Sequence, residues 1–205
     1  MDRRWYLDVN RFARDTAWAH PVVRAYAVWG GIAVLVALLL AGWWLSRADG
    51  TSPAALWAGV GALVAVGVNQ PVIHFFARPR PYVTIPGVLV LVARGHDFTF
   101  PSDHATAAGA VICGLALARR HRLAAAATAA GATLAFSRVY VGAHYPGDVA
   151  AGLIFGAAVV AVGYPVAMLL LRPAVAVAAR SPLRPLVMAE GPGDAPPAIE
   201  FTPQD

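Results

Sequence analysis

Residues 100–148 read FPSDHATAAGAVICGLALARRHRLAAAATAAGATLAFSRVYVGAHYPGD. The stretch opens on Phe100-Pro101-Ser102-Asp103-His104 and crosses two Ala- and Gly-rich apolar segments separated by Arg119-Arg120-His121-Arg122. It closes on Ser137-Arg138 and then His144-Tyr145-Pro146-Gly147-Asp148, and just upstream stands Arg78-Pro79-Arg80-Pro81. Ionisable residues thus recur at the ends of hydrophobic runs, where their desolvation cost makes function the default explanation.

The surrounding chain says which solvent those runs meet. Of its 205 residues 59% are hydrophobic and 13% charged, with a mean hydropathy of +0.60. That is too apolar for a soluble domain of this length and predicts an all-α, polytopic membrane helical bundle. Five transmembrane helices are expected, at residues 21–45, 53–77, 103–118, 123–136 and 149–171. The third and fourth are short and rich in small residues, as in helices packed closely inside a bundle. Residues 21–172 then form one membrane-embedded domain.

The flanks differ. Residues 1–20 mix Arg3, Arg4, Arg11 and Arg14 with Asp2, Asp8 and Asp15, and place Trp5, Val9 and Phe12 on one helical face. An interfacial amphipathic helix is expected there rather than a cleaved signal, which needs an uninterrupted apolar core. Between the second and third spans the apolar piece Val88 to Ala93 is far too short to cross a bilayer and reads as a re-entrant or interface-lying segment. Residues 173–205 are a Pro-rich tail, expected to be cytoplasmic and disordered beyond Ser181.

Several function classes are excluded. The net charge of +5 does not mark a nucleic-acid partner, because the arginines are dispersed over span ends instead of forming a stripe. The lone Cys113 excludes an intramolecular disulfide and a cysteine metal cluster. A zinc site is disfavoured by the arginines beside the histidines, and no His-x-x-x-His spacing occurs. Five spans bring the end of the second, the start of the third, the end of the fourth and the start of the fifth to one face. That face holds every charged motif. The other face receives Arg47, Arg119, Arg120, Arg122, Arg172, Arg180 and Arg184, and the positive-inside rule makes it cytoplasmic, with the motifs facing outward in the cell membrane.

The chemistry of the motifs follows from residue types. A helix starting at Ser102 is capped by its hydroxyl and turns the free N–H groups of Asp103, His104 and Ala105 outward as an anion site, although the segment taken alone also reads as an ordinary helix start. His144 lies four residues before Asp148, one helical turn, so the carboxylate can accept from one imidazole nitrogen and leave the other as a nucleophile. Arg80 and Arg138 offer permanently charged planar forks suited to phosphate oxygens. Asn69, Gln70 and His74 near the end of the second span suggest either a wet cavity or a packed inter-helix hydrogen bond.

These residues resemble the type 2 phosphatidic acid phosphatases, a membrane superfamily related to the vanadium haloperoxidases. Its signature joins a lysine with Arg-Pro, then Pro-Ser-Gly-His, then Ser-Arg followed by His and Asp at the spacing seen from Ser137 to Asp148. The resemblance covers roughly Asn69 to Gly156. It implies that His144 attacks phosphorus to give a phosphohistidine, that His104 protonates the leaving oxygen and that Asp148 orients His144. It also implies that Arg80, Arg138, Ser102 and Asp103 hold the phosphate with no metal or other cofactor. Two positions depart: Ile73 stands where the family has its lysine, with Arg78 or the adjacent His74 as candidate replacements, and Asp103 stands where it has glycine. Both departures look similar to the bacitracin-resistance branch of undecaprenyl-diphosphate phosphatases. That implies removal of the terminal phosphate from a polyprenyl diphosphate, the lipid carrier of cell-wall peptidoglycan.

Two other readings stand beside it. One is a phosphatase of lipid monophosphates such as phosphatidic acid, phosphatidylglycerol phosphate or a polyprenyl-phosphoryl sugar phosphate. The other is a non-catalytic headgroup binder or flippase, which would need neither His144 nor Asp148. In each case the partner is a membrane lipid, and a homo-oligomer is left open. The remaining residues receive plain expectations: His20 and His121 solvated, His96 and Asp97 in a turn, and the tryptophans as interface anchors.

Overall fold

The structure, a computed structural model, describes residues 1–189. Every regular element among them is helical: α1 (Asp2–Asp15), α2 (His20–Ala25), α3 (Gly31–Ser46), α4 (Ser52–Phe76), α5 (Pro81–Thr84), α6 (Asp103–Leu117), α7 (His121–Tyr140), α8 (Pro146–Ala178) and α9 (Arg184–Val187). A π-helical turn, Tyr26–Gly30, splices α2 to α3.

Large apolar side chains on α3, α4 and α8 stay exposed, among them Leu40, Leu63, Ile154, Val162 and Leu169. Helices that are apolar all round belong in lipid, where their backbone groups are satisfied internally. Residues 17–46, 52–84 and 146–178 are each long and apolar enough to cross a membrane. With 15 residues α6 extends only about 22 Å, short of the roughly 30 Å hydrocarbon core. It sits at the centre, packed most extensively on α8 and then on α4 and α7.

Glycine sets that central contact. A β-carbon on Gly109 would fall 1.9 Å from the Leu153 carbonyl oxygen, and one on Gly156 would fall 1.9 Å from the Thr106 carbonyl oxygen. Small residues let the two backbones approach closely, and the approach draws the start of α6 onto the start of α8. The Ser102 N–H accordingly donates to the Asp148 carbonyl at 3.1 Å.

The structure corrects several boundaries. The segment expected as the fourth span, residues 123–136, lies within α7, which carries Ser137 and Arg138 in its last turn and, among the described residues, is not one of the three helices long and apolar enough to cross a membrane. The helix of the last expected span does not stop at residue 171, because α8 continues through Pro165 and Pro173 to Ala178. A proline removes one donor, and in a spanning helix neighbouring groups compensate. Residues 181–189 are not disordered: Ser52 Oγ donates to the Val187 carbonyl at 2.6 Å, Arg47 to the Pro185 carbonyl at 2.5 Å, and Ala189 N–H to the Arg47 carbonyl at 3.1 Å. The expected disorder of residues 190–205 lies outside the described residues.

At the amino end, α1 packs on α7 and α8 instead of standing apart as its own unit. The face it buries is Tyr6, Asn10 and Ala13, while Trp5 and Phe12 remain 59% and 52% exposed. Residues 88–93 form no helix and are laid between α1 and the end of α7: Asn10 bonds both backbone groups of Leu89, and Leu91 N–H donates to the Val141 carbonyl. Trp57 is no anchor, since it is buried and its indole donates to the Val160 carbonyl at 3.0 Å. His20 is partly buried, its Nε2 lying 2.8 Å from the Ala13 carbonyl near the end of α1.

Candidate active site

Three backbone features carry the site. Ala77, in the left-handed conformation at φ 45°, ends α4 and turns the chain into Arg78-Pro79-Arg80. Ser102 starts α6. Gly142, at φ 81°, makes the turn between α7 and α8, and a β-carbon there would press against the Leu89 carbonyl at 2.4 Å. That turn delivers His144.

The His144 imidazole is 3% exposed. Its Nδ1 lies 3.0 Å from both Thr99 Oγ1 and the Thr99 carbonyl oxygen. Thr99 Oγ1 in turn donates to Asp148 Oδ2 at 2.6 Å, so its proton is already committed. A carbonyl can only accept, and therefore Nδ1 carries the imidazole proton and Nε2 is unprotonated. Nε2 stands 3.5 Å from a terminal nitrogen of Arg80.

This geometry corrects the expected direct bond from Asp148 to His144. His144 Nδ1 and Asp148 Oδ2 are 3.9 Å apart, beyond hydrogen-bonding distance, and Thr99 intervenes. The cause is that Asp148 is the third residue of α8 whereas His144 precedes the helix, so the two do not lie one helical turn apart. Asp148 Oδ2 also accepts from the Tyr145 N–H at 2.8 Å.

The cationic groups surround the other side of the ring. Arg80 donates to the Ala143 carbonyl at 3.1 Å and is gripped by Asp97 at 2.8 and 3.1 Å. Arg138 donates to the Ala27 carbonyl in the π-helical turn at 3.1 Å. Its Nε is buried without a partner among the described residues, as is Ser102 Oγ. The expected capping of α6 by the Ser102 hydroxyl is thereby corrected: the residue starts the helix but its side chain makes no cap hydrogen bond. Buried donors are normally satisfied, so unused ones from two separate motifs are what an oxyanion site requires. With the first-turn N–H groups of α6 they are candidate donors to a tetrahedral anion. His104, in that same turn, faces the Val28 carbonyl and lies within electrostatic reach of Arg138, Arg80 and His144.

Not every expected phosphate ligand is free to serve as one. Asp103 turns its carboxylate to Asn69 at 2.7 Å and Gln70 at 2.9 Å, which resolves the polar end of α4 into an inter-helix hydrogen bond and leaves Asp103 its backbone N–H for an anion. Arg78 is committed to two carboxylates, Asp148 and Asp2, in this structure. His74 is exposed and bonded to its own helix at the Gln70 carbonyl. Thr99 and Asp2 escaped sequence reasoning. Asp97, just before the second motif, reads as a turn residue or as a border of the site entrance. None of the three has a spacing relation to the residues it serves.

Burial, and then the charges of Arg138 and Arg80, hold the His144 imidazole well below its ordinary value of 6.5. The resting ring is neutral. Because the unfolded chain takes up this proton first, stability is full above about pH 6.5 and declines as the pH falls from there toward the folded value. The acidic limb of the kcat/KM profile of the free enzyme is accordingly expected below about pH 6.5. A limb at or above that value would contradict a neutral resting ring. For Asp97 burial acts upward, but the hydrogen bond and charge of Arg80 outweigh it and leave the carboxylate below its ordinary range.

Residues 54–171 match the PAP2 superfamily. The chain belongs to that superfamily. This PAP2 protein is 32% identical over 121 residues to the undecaprenyl-diphosphatase BcrC of Bacillus subtilis, a match covering 59% of this chain and 62% of that relative. Over 60 residues it is 52% identical to a lipid A 1-phosphatase of Rhizobium johnstonii, spanning 29% of this chain and 24% of that one. Its fold is shared with the crystal structure of a PAP2-type phosphatidylglycerolphosphate phosphatase from Bacillus subtilis at a TM-score of 0.60 and 17% identity, over 82% of this chain and 87% of that chain. Aquifex aeolicus LpxE gives 0.57 and 20%, over 78% and 94%. The chain thus spans less than two thirds of the length of that BcrC relative, and the relatives it matches are named as phosphatases of lipid-linked phosphates.

Proposed function

We propose that this PAP2 protein removes the terminal phosphate of a polyprenyl, undecaprenyl-type diphosphate, yielding the lipid monophosphate and inorganic phosphate. The observation that carries the reading is His144 with Nδ1 pinned by Thr99 and an unprotonated Nε2 beside Arg80. A binder or flippase has no use for a nucleophile prepared in this way.

In this mechanism Nε2 attacks the terminal phosphorus as the bridging P–O bond breaks. The lipid monophosphate leaves, with any proton it needs supplied by His104. Water then attacks the phosphohistidine, gives a proton to His104, and releases phosphate and neutral His144. Arg80, Arg138, Ser102 and the N–H groups of Asp103 and His104 hold the phosphoryl oxygens, whose charge they meet throughout the in-line transfer. Asp97 must yield Arg80 to the substrate. The diphosphate is favoured by the likeness to BcrC and by the uncompensated Ile73: a lipid phosphate is a better leaving group than an alkoxide, so one cationic contact fewer suffices. A multi-pass position in the plasma membrane with the catalytic end outward is supported by the seven arginines at the opposite end, where Asp49 is the one acid before the tail. At the catalytic end Arg3, Arg4, Arg11 and Arg14 of α1 argue the other way and are offset only in part by the interleaved Asp2, Asp8 and Asp15.

A second reading, hydrolysis of a lipid monophosphate, is favoured by the high local identity to the lipid A 1-phosphatase. Phosphate release by the purified full-length protein in detergent, with chelator present, separates the two. Polyprenyl diphosphate is expected to exceed phosphatidic acid, phosphatidylglycerol phosphate and a polyprenyl-phosphoryl sugar phosphate by about tenfold or more in kcat/KM. The reverse order establishes the second reading, and no release from any substrate returns the chain to the binder class.

A further inference from the structure

We infer that Asp2 and Arg78 are positioning residues for the nucleophile, so that the start of α1 completes the active site by holding Asp148 in place. The inference rests on the proposed role of His144.

Asp148 is wholly buried. A buried carboxylate without a cation is strongly destabilising, and one held loosely could not fix Thr99. Arg78 supplies the cation, with one terminal nitrogen 2.5 Å from Asp148 Oδ1. Its other terminal nitrogen is 2.6 Å from Asp2 Oδ2. The remaining oxygen of Asp2 accepts the Gly147 N–H at 2.8 Å, so the same carboxylate caps the first turn of α8 one residue before Asp148. The guanidinium also lies over the Tyr145 ring at 4.1 Å, and Tyr145 packs on Tyr6 of α1 with centroids 5.4 Å apart. An ion pair, a helix cap and a ring contact thus fasten α1 to the residue that orients the nucleophile. The order of contact is Asp2, Arg78, Asp148, Thr99, His144.

Partners of an orienting group act on geometry, and their loss costs turnover more than binding. The test compares Asp2→Asn, Arg78→Met, Arg78→Lys and Thr99→Val with the wild type, in full-length protein with polyprenyl diphosphate as substrate, alongside melting temperatures and His144→Ala. Expected are a kcat loss of about 10- to 100-fold for Arg78→Met and Thr99→Val, and a few-fold for Asp2→Asn. KM should stay within about twofold. Arg78→Lys should recover part of the loss. Asp2→Asn should add little in an Arg78→Met background, because both act through one carboxylate. A raised KM with unchanged kcat would make Arg78 a phosphate contact and overturn the inference, and so would wild-type kcat in Asp2→Asn and Arg78→Met. Should Arg78→Met fail to fold, Asp2→Asn and Arg78→Lys carry the same comparison. Activity surviving in His144→Ala would instead remove the reading on which the inference rests, and so the two failures are distinct.

Discussion

Replacing His144 with alanine is expected to lower phosphate release from polyprenyl diphosphate by about 10⁴-fold or more, the scale on which covalent catalysis collapses when its nucleophile is deleted. The expectation follows from the ring's surroundings. Thr99 holds the Nδ1 proton, the pocket keeps the ring neutral, and Nε2 points toward the guanidinium of Arg80. Alanine leaves Arg80, Arg138, Ser102 and the start of α6 in place, so lipid binding should change little. Rapid acid-free quenching of a turnover with radiolabelled terminal phosphate should show an acid-labile protein adduct in the wild type and none in His144→Ala. Retention of the adduct, or of more than a few per cent of the turnover, would mean that another group attacks phosphorus.

His104→Ala is expected to separate substrates by leaving group. An alkyl monophosphate expels an alkoxide and depends on general acid assistance, so the loss should reach about 10²- to 10⁴-fold. A polyprenyl diphosphate expels a lipid phosphate that needs little protonation, and about tenfold or less should be lost in that step. Parallel kcat measurements on phosphatidic acid and polyprenyl diphosphate provide the comparison. Equal losses on both would refute the leaving-group explanation and with it the physical reason offered for tolerating Ile73.

Both predictions concern residues that the sequence displays. The motifs sit at the ends of apolar runs, and a charge beside a membrane span announces itself through its cost. The end-to-end logic of successive spans also placed Arg80, Ser102, Arg138 and His144 at one end, as the hydrogen bonds from Arg80 to Ala143 and from Ser102 to Asp148 require. Boundaries were less legible. Pro173 reads as a stop in water but not inside α8, because neighbours in a membrane bundle can compensate the missing donor. On α1, hydrophobic spacing picked the face of Trp5 and Phe12, whereas the bundle buries Tyr6, Asn10 and Ala13. Lipid is as good a home for tryptophan as a protein core is, so hydrophobicity alone does not say which face meets protein.

The amino-acid sequence by itself determined the helical class and pointed to the lipid solvent and to the side chains proposed for catalysis, since each depends on local composition or on spacing within one motif. Tertiary structure alone decided how those side chains are wired. Thr99 stands between His144 and Asp148, Asn69 and Gln70 take the Asp103 carboxylate, and Asp2 reaches Arg78 across 76 positions of chain. The physical reason is that a hydrogen bond requires particular atoms within about 3 Å. Only the close crossing of α6 on α8 at Gly109 and Gly156, with α1 laid against α7 and α8, sets distances to that tolerance.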